Sequence, residues 1–244
     1  MMTENGAAAL SPEEKETIRE NIEQIRRGIE EAKKRAGRQG AVTLLAATKT
    51  VPPEKINYAI QECGLTDIGE NRVQELLSKY DALEKENVKI HFIGSLQTNK
   101  VKYIIDKVTM IHSLDSVPLA KEIDRQAKKH GLKMDVLVEV NIGREENKGG
   151  ILPEDILEFL DKISLFDSIC VRGIMTIAPH CEKKEEYFKY FAETYKIFID
   201  ISEKKPHNID MSILSMGMSE SYIPAVECGS TLVRVGSAIF GART

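Results

Sequence analysis

Eight short β-rich runs alternate with stretches of helical periodicity along most of this chain. The runs lie at residues 42–47, 66–69, 89–93, 109–112, 134–141, 169–174, 211–214 and 231–235. Several are almost continuously apolar, which favours strands that are covered on both faces. Alternating strands and helices favour a parallel sheet. Eight such units predict an α/β fold with a single (β/α)₈ TIM barrel, and an open, doubly wound sheet is the alternative.

An extra N-terminal helix is predicted ahead of the first strand. Ser11 can cap it, Pro12 suits its first turn and Glu14 completes a capping box. One apolar face then continues to Gly37 and consists of Ile18, Ile22, Ile25 and Ile29. The other helical stretches lie at residues 54–63, 71–79, 99–106, 117–130, 153–163, 183–202 and 220–227. No linker divides the chain, so residues 1–244 are predicted to form one domain.

The charge balance and the cysteines exclude several classes of protein. The chain has 34 Lys and Arg against 38 Asp and Glu, a net charge of −4, so neither nucleic acid nor an anionic membrane is the expected partner. The four cysteines form no CxxC pair and indicate neither a zinc site nor a disulfide framework. Residues 1–10 do not resemble a signal peptide, and no uncharged run approaches the roughly 18 residues that span a bilayer. A reduced, cytoplasmic protein is expected.

Lys49 follows the first predicted strand directly, and Pro52 and Pro53 then end that strand. In a TIM barrel the active site lies where the strands end. Partial desolvation at such a position lowers the pKa of a lysine and makes its neutral amine available to form an imine. The alternative is a lysine whose stem covers the strand end while its ammonium group reaches solvent.

Small and hydroxyl-bearing residues follow the seventh and eighth strands, where TIM barrels bind phosphate. Ser215, Gly217 and Ser219 come after the seventh strand, and Gly236 and Ser237 come after the eighth. Such residues let backbone N–H groups approach an anion and supply further donors. The alternative is that they form ordinary turns and helix caps.

Four other residues are weighed as contacts to a ligand or to the core. Arg234 lies near the end of the last strand, where a buried guanidinium needs an anion, a ring nitrogen of a ligand or a carboxylate such as Glu139. Asn71 follows the second strand and either caps a helix or reaches a bound ring. Met216 is interpreted as a packing residue or a soft wall to a planar ligand. His91, inside the third strand, is interpreted as a hydrogen-bonded core residue rather than a catalyst.

Taken together, five motifs in order along the chain resemble those of the pyridoxal phosphate homeostasis protein family. They are AATKT at residues 46–50, GENRVQE at 69–75, HFIGSLQTNK at 91–100, SMGMS at 215–219 and RVGSAIFG at 234–241. The resemblance covers essentially the whole chain after the first helix. The family often has Trp before the His of the third motif, whereas this chain has Ile90 there.

The resemblance implies an alanine-racemase-like barrel that binds pyridoxal 5′-phosphate (PLP) as a Schiff base on Lys49. By the same resemblance, the phosphate is bound by Ser215, Ser219, Gly236 and Ser237, and Arg234 faces the pyridine nitrogen. These assignments are expectations at this point, as is the role of PLP as the cofactor.

The resemblance also bears on catalysis. Related racemases use a tyrosine from a second domain as a base on the ring face opposite the lysine, and a chain that ends at Thr244 is expected to lack that domain. An arginine at the ring nitrogen would leave it unprotonated and weaken the ring as an electron sink. We therefore expect a monomer or weak dimer that stores PLP or delivers it to PLP-dependent apo-enzymes, without turnover. A weak amino-acid racemase and a cofactor-free aldolase that uses Lys49 are the alternatives.

Overall fold

The strands of this protein form a closed, entirely parallel barrel. The computed structural model describes residues 10–204 and 209–241, and its strands are β1 (Thr43–Ala47), β2 (Asp67–Glu70), β3 (Lys89–Phe92), β4 (Met110–Leu114), β5 (Met134–Val140), β6 (Ile169–Thr176), β7 (Ile209–Ser215) and β8 (Leu232–Val235). Each strand pairs with its neighbours in the sequence, and β1 also pairs with β8. That last pairing closes the sheet, which confirms the TIM barrel and excludes the doubly wound alternative. Residues 1–9, in which no signal peptide was expected, lie outside the described residues.

A helix follows every strand and one more precedes the barrel. The helices within the described ranges are α1 (Pro12–Arg35), α2 (Pro53–Gln61), α3 (Val73–Lys79), α4 (Val101–Ile104), α5 (Val117–Lys129), α6 (Ile156–Ile163), α7 (Lys184–Lys204), α8 (Tyr222–Glu227) and α9 (Ser237–Phe240). The main apolar core lies between the sheet and helices α2 to α8, and Phe92, Ile111 and Leu76 are fully buried in it. Within residues 10–204 and 209–241, no helix has the length and apolar character needed to cross a bilayer.

Strand β6 contains a bulge that depends on a glycine. Arg172 is the extra residue relative to β5, and Gly173 after it has a φ of 151°. A Cβ atom on Gly173 would lie 1.8 Å from the carbonyl oxygen of Ile213 on β7. Only glycine therefore allows the two strands to approach each other at this point. The bulge sets the register of the rest of β6 up to Thr176, which contributes to the site described below.

Helix α1 covers the seam where the first and last strands meet. Its capping box is present as predicted, because Ser11 Oγ accepts from the Glu14 N–H at 3.1 Å and the Glu14 carboxylate accepts from the Ser11 N–H at 2.9 Å. The predicted apolar face is buried and packs in one cluster with residues of β1 and β8, among them Leu44, Val233 and Val235. Helix α1 therefore covers the outside of the barrel where β1 pairs with β8.

We expect Ile22→Val to lower the free energy of unfolding by about 1 kcal/mol, because removing one buried methylene group leaves a small cavity. Ile22 is fully buried beneath α1. Urea denaturation would measure the change, and Glu20→Ala on the exposed face of the same helix should have little effect. Equal destabilisation by both variants would contradict the packing of α1 on the barrel.

Candidate functional site

A cavity of about 620 Å³ opens at the carboxyl end of the barrel. Segments that follow β1, β5, β6, β7 and β8 contribute to its wall. Polar and charged side chains around it include Lys49, Lys55, Lys148, His180, Tyr187, Ser219, Arg234 and Ser237. This is the end of a TIM barrel at which parallel strands deliver their loops, so it is the expected place for a ligand.

Lys49 lies in the turn after β1, and the residues on both sides of it are anchored. The backbone N–H of Thr50, which has a φ of 62°, donates to Oε1 of Glu75. Thr48 is fully buried, and its carbonyl oxygen accepts from Nζ of Lys79 at 2.8 Å. Lys79 also donates to Glu75 at 2.7 Å, which joins the two anchors. The turn is thereby held in place while the half-buried Lys49 side chain borders the cavity.

Glu70 also stabilises the turn that contains Lys49. Its Oε1 accepts from the Thr48 hydroxyl at 2.6 Å and from Lys79 at 3.0 Å, and the residue is fully buried. Burial raises the pKa of Glu70 above its ordinary value, although the hydrogen bonds and the charge of Lys79 oppose that shift. Two acids of the GENRVQE motif, Glu70 and Glu75, therefore position the segment that contains Lys49.

The loop after β8 presents converging hydrogen-bond donors next to the end of β1 at the same cavity. The backbone N–H groups of Gly236 and Ala238 both donate to Oγ of Ser219, each at 3.3 Å. A Cβ atom on Gly236 would lie 2.9 Å from the carbonyl oxygen of Ala47, so this loop packs directly on the end of β1. Exposed Ser237 borders the same space. Two N–H groups that meet at one acceptor are suited to an oxygen of an anion.

Arg234 is a buried residue of the same cavity wall. Its Nη1 donates to Oγ of Ser215 at 2.7 Å and its Nη2 donates to the carbonyl oxygen of Thr176 at 2.9 Å. Burial lowers the pKa of Arg234 to about 10, while the charge of Glu139 acts in the opposite direction. The guanidinium therefore stays positively charged at neutral pH.

The structure brings five of the eight predicted site residues to the wall of this cavity. They are Lys49, Ser219, Arg234, Gly236 and Ser237. These five come from the ends of β1 and β8 and from the loop after β7, which lie next to one another in the barrel. Arg234 is bound to a hydroxyl and a carbonyl oxygen, so of the partners considered for it, Glu139 acts through its charge alone.

The other three predicted residues do not line the cavity. Ser215 is the fully buried last residue of β7, and Met216 is fully buried in the main core, whereas Met218 lines the cavity and is 41% exposed. Arg72, and not Asn71, is at the N-cap position of α3, so the capping interpretation of Asn71 is wrong. The Oδ1 atom of Asn71 is buried and makes no hydrogen bond within residues 10–204 and 209–241.

Several cavity residues were not predicted from the sequence. His180 lies in the segment after β6, so the rule that selected Lys49, a polar residue following a strand, could have found it. Tyr187 comes from α7, and its hydroxyl accepts from the backbone N–H of Cys181 at 3.4 Å. Nothing in the sequence distinguishes Tyr187 from the other aromatic residues of that helix.

Two carboxylates with raised pKa values lie on β5 and next to β4. Burial and the charge of Asp115 raise the pKa of Glu139 to about 7, although Arg234 opposes the shift. Burial likewise raises the pKa of Asp115. Because the folded-state pKa of Glu139 lies above the ordinary value of 4.5, the Glu139 carboxyl group favours folding at low pH. Its contribution is present below about pH 4.5 and is lost as the pH rises through about 7.

We expect Glu139→Gln to flatten the pH dependence of stability between about pH 5 and pH 8 and to raise the free energy of unfolding at the upper end by on the order of 1 kcal/mol. Urea denaturation of the ligand-free protein at several pH values would measure it. Glu20→Gln on the exposed face of α1 should leave the pH dependence unchanged. The assignment fails if the wild type and the Glu139 variant show the same slope.

Comparison with known proteins places the chain in a class and then in a family. A family model described as alanine racemase, N-terminal domain, matches residues 16–244, so the chain belongs to the class of proteins built on that domain. A pyridoxal phosphate homeostasis protein of Aquifex aeolicus (strain VF5) is 44% identical over 225 residues, 92% of this chain and 97% of that protein. This chain belongs to the pyridoxal phosphate homeostasis protein family, which confirms the family that its five motifs predicted.

Solved structures agree with this assignment. PipY of Synechococcus elongatus PCC7942, solved with PLP bound, has a TM-score of 0.78 and 30% identity to this chain, covering 92% of this chain and all of that one. An alanine racemase of Clostridium difficile 630 has a TM-score of 0.69 at 17% identity, covering 92% of this chain and 57% of that one. The second likeness shows a shared fold alone.

Proposed function

We propose that this protein binds PLP covalently through Lys49 and takes part in PLP homeostasis by storing the cofactor or delivering it. The observation that carries the proposal is that Lys49 and the donor loop at Gly236 and Ser237 border one cavity from adjoining strands. PLP supplies an aldehyde that condenses reversibly with a primary amine. In this proposal Lys49 holds the aldehyde carbon, the donor loop and Ser219 hold the phosphate, and Arg234 faces the ring nitrogen.

The residues present fit the anionic end of the cofactor. The N–H groups of Gly236 and Ala238 already point at one oxygen, that of Ser219, so a phosphate oxygen can take the same place after a change of the serine rotamer. A side chain on Gly236 would collide with the end of β1 and displace these donors. Ser237 is exposed and provides another hydroxyl at the same wall. PipY, a relative solved with PLP bound, supports PLP as the ligand.

Arg234 favours a role in binding the cofactor and not in catalysis with it. The guanidinium is a permanent cation at neutral pH, since its pKa remains at about 10 even when buried. A cation that donates to the pyridine nitrogen keeps that nitrogen unprotonated, and the ring then withdraws electrons less effectively. The reactions in which PLP enzymes stabilise a carbanion would therefore be slow at this site.

Reduction with borohydride tests the covalent assignment directly. The purified protein is saturated with PLP, dialysed, reduced and digested, and the peptides are analysed by mass spectrometry. We expect one modified lysine, Lys49. Modification spread over other lysines, or none at all, would contradict the proposal.

Storage and delivery are separated from catalysis by two measurements on the loaded protein. Loaded protein is mixed with a PLP-dependent apo-enzyme, and we expect restored activity of that enzyme. Loaded protein is also incubated with single amino-acid enantiomers in deuterated water, and we expect α-deuterium exchange no faster than with free PLP. Fast exchange would instead support a racemase, with His180 and Tyr187 of the cavity wall as the first residues to substitute.

A further inference from the structure

A continuous column of hydrogen-bonded side chains crosses the interior of the barrel. From the cavity side, Arg234 Nη1 donates to Ser215 Oγ at 2.7 Å, and Ser215 Oγ is 3.3 Å from Nδ1 of His112. Nε2 of His112 is 2.9 Å from Nδ1 of His91, and Nε2 of His91 is 3.0 Å from Oδ1 of Asp67. The five residues come from β8, β7, β4, β3 and β2, so no two of them share a strand.

The chemistry of the two ends fixes the direction of every hydrogen bond in between. A guanidinium can only donate, so Ser215 accepts from Arg234 and directs its own proton to Nδ1 of His112. His112 then carries its proton on Nε2 and donates to Nδ1 of His91. His91 in turn donates from Nε2 to the carboxylate of Asp67, which can only accept when ionised. The arrangement gives each of the five side chains a hydrogen-bond partner within the column, with both imidazole rings neutral.

The burial of these residues and their pKa shifts agree with this direction of the hydrogen bonds. All five residues of the column are buried, and His112 and Ser215 are fully so. Burial lowers the pKa of His112 well below its ordinary value, and the charge of Arg234 lowers it further. Burial opposes ionisation of Asp67, but hydrogen bonds from His91 and Thr66 outweigh it and lower the pKa of that carboxyl. Asp67 is thus suited to be the acceptor at the end of the column.

The two ends of the column lie at opposite ends of the barrel. Arg234 lines the cavity of the proposed cofactor site. Asp67 and His91 line a second cavity of about 410 Å³, whose wall is formed largely by residues at or near the starts of the strands. The hydroxyl and imidazole groups between them connect the two cavities without a break.

We propose that Asp67, His91, His112 and Ser215 are positioning residues that hold Arg234 in place, so that the affinity for the cofactor depends on a carboxylate at the far end of the barrel. Two of the five N–H groups of the guanidinium are used by Ser215 and Thr176, and their acceptors orient the rest of the group toward the ligand. The ligand in this proposal rests on the proposed function, whereas the column itself does not.

Nitrogen NMR of the cofactor-free protein tests the column alone. Protein with ¹⁵N-labelled histidine is examined at neutral pH, and the signals are assigned by comparison with His91→Phe and His112→Phe. We expect both rings to be neutral and protonated on Nε2. A proton on Nδ1 of either ring, or a charged ring, overturns the column as described, whether or not PLP binds.

Asp67→Asn tests whether the column acts on the ligand site. Asparagine keeps the shape and can either donate or accept, so the single direction of the column is lost. We expect the tautomer of His112 to become mixed and the affinity for PLP to fall about tenfold or more, equivalent to the loss of one hydrogen bond to a charged group.

Asp135→Asn is the matched control, because Asp135 lines the same distant cavity and binds Arg172 instead of the column. It should change the affinity for PLP less than about twofold, since it removes no member of the column. Equal losses in the two variants, or an unchanged affinity in Asp67→Asn, overturn the proposal. A wild type that binds no PLP contradicts the proposed function, and the NMR result then still decides the column.

Discussion

Lys49→Ala is expected to abolish retention of PLP through dialysis. Under the proposed function, the variant removes the amine that would hold the aldehyde and leaves Ser219, Gly236 and Ser237 to bind the phosphate reversibly. We expect the absorption band of the bound cofactor to disappear and the fraction loaded after dialysis to fall by at least about tenfold, which corresponds to ~1.4 kcal/mol or more of lost binding.

Lys55→Ala provides the matched control for this variant. Lys55 lines the same cavity but lies on α2, where its ammonium group pairs with Glu14 of α1 at 3.0 Å. The control should retain PLP at close to the wild-type level. Retention of the band in Lys49→Ala, or its equal loss in both variants, would show that Lys49 is not the attachment point.

Gly173→Ala is expected to lower the free energy of unfolding by about 3 kcal/mol or more, or to prevent folding. An added Cβ would overlap the carbonyl oxygen of Ile213, a backbone atom that cannot move without breaking the pairing of β6 with β7. The strain of a positive φ adds to that overlap. Urea denaturation of the purified variant, or its recovery in the soluble fraction, measures the effect.

Gly131→Ala is the control that measures the cost of a positive φ alone, without the steric overlap that a Cβ meets at position 173. Gly131 also has a positive φ, of 65°, but a Cβ there would meet nothing within 4 Å. We expect this variant to lose only about 1 kcal/mol, the cost of a left-handed alanine. Losses of similar size at the two positions would indicate that the β6–β7 contact is looser than described.

The sequence was sufficient to predict the barrel because its evidence is local and repeated. Each run of apolar residues identified a strand, and Lys49 was found because it immediately follows one. The extra helix was equally accessible, since Ser11, Glu14 and the isoleucines of α1 are close together in the chain. Patterns of this kind depend on short-range physical preferences, and the fold as a whole agrees with them.

The misplacement of Ser215 depends on where a strand ends. The seventh strand was predicted at 211–214 but extends over Ile209–Ser215. Ser215 therefore belongs to the strand, and it contacts Arg234 inside the barrel instead of lying in the loop. Periodicity does not determine strand ends to within one residue.

The histidine pair shows a different limit of sequence reasoning. His91 was predicted to be a hydrogen-bonded core residue, and it is 2% exposed with two partners. Its partners Asp67 and His112 could not be named, because they come from other strands and meet it only through the register of the barrel. Contacts of this kind are a property of the tertiary structure and leave no spacing signal in the chain.

Helix α1 braces the two strands, β1 and β8, that end beside Lys49 and Ser237 in the cavity wall. A molecule bound to both strand ends would act as a cross-link between the beginning and the end of the barrel. The binding free energy of that molecule would then oppose any separation of β1 from β8. Slower amide hydrogen exchange along α1, on the outside of the molecule, would thus report that the inside is occupied.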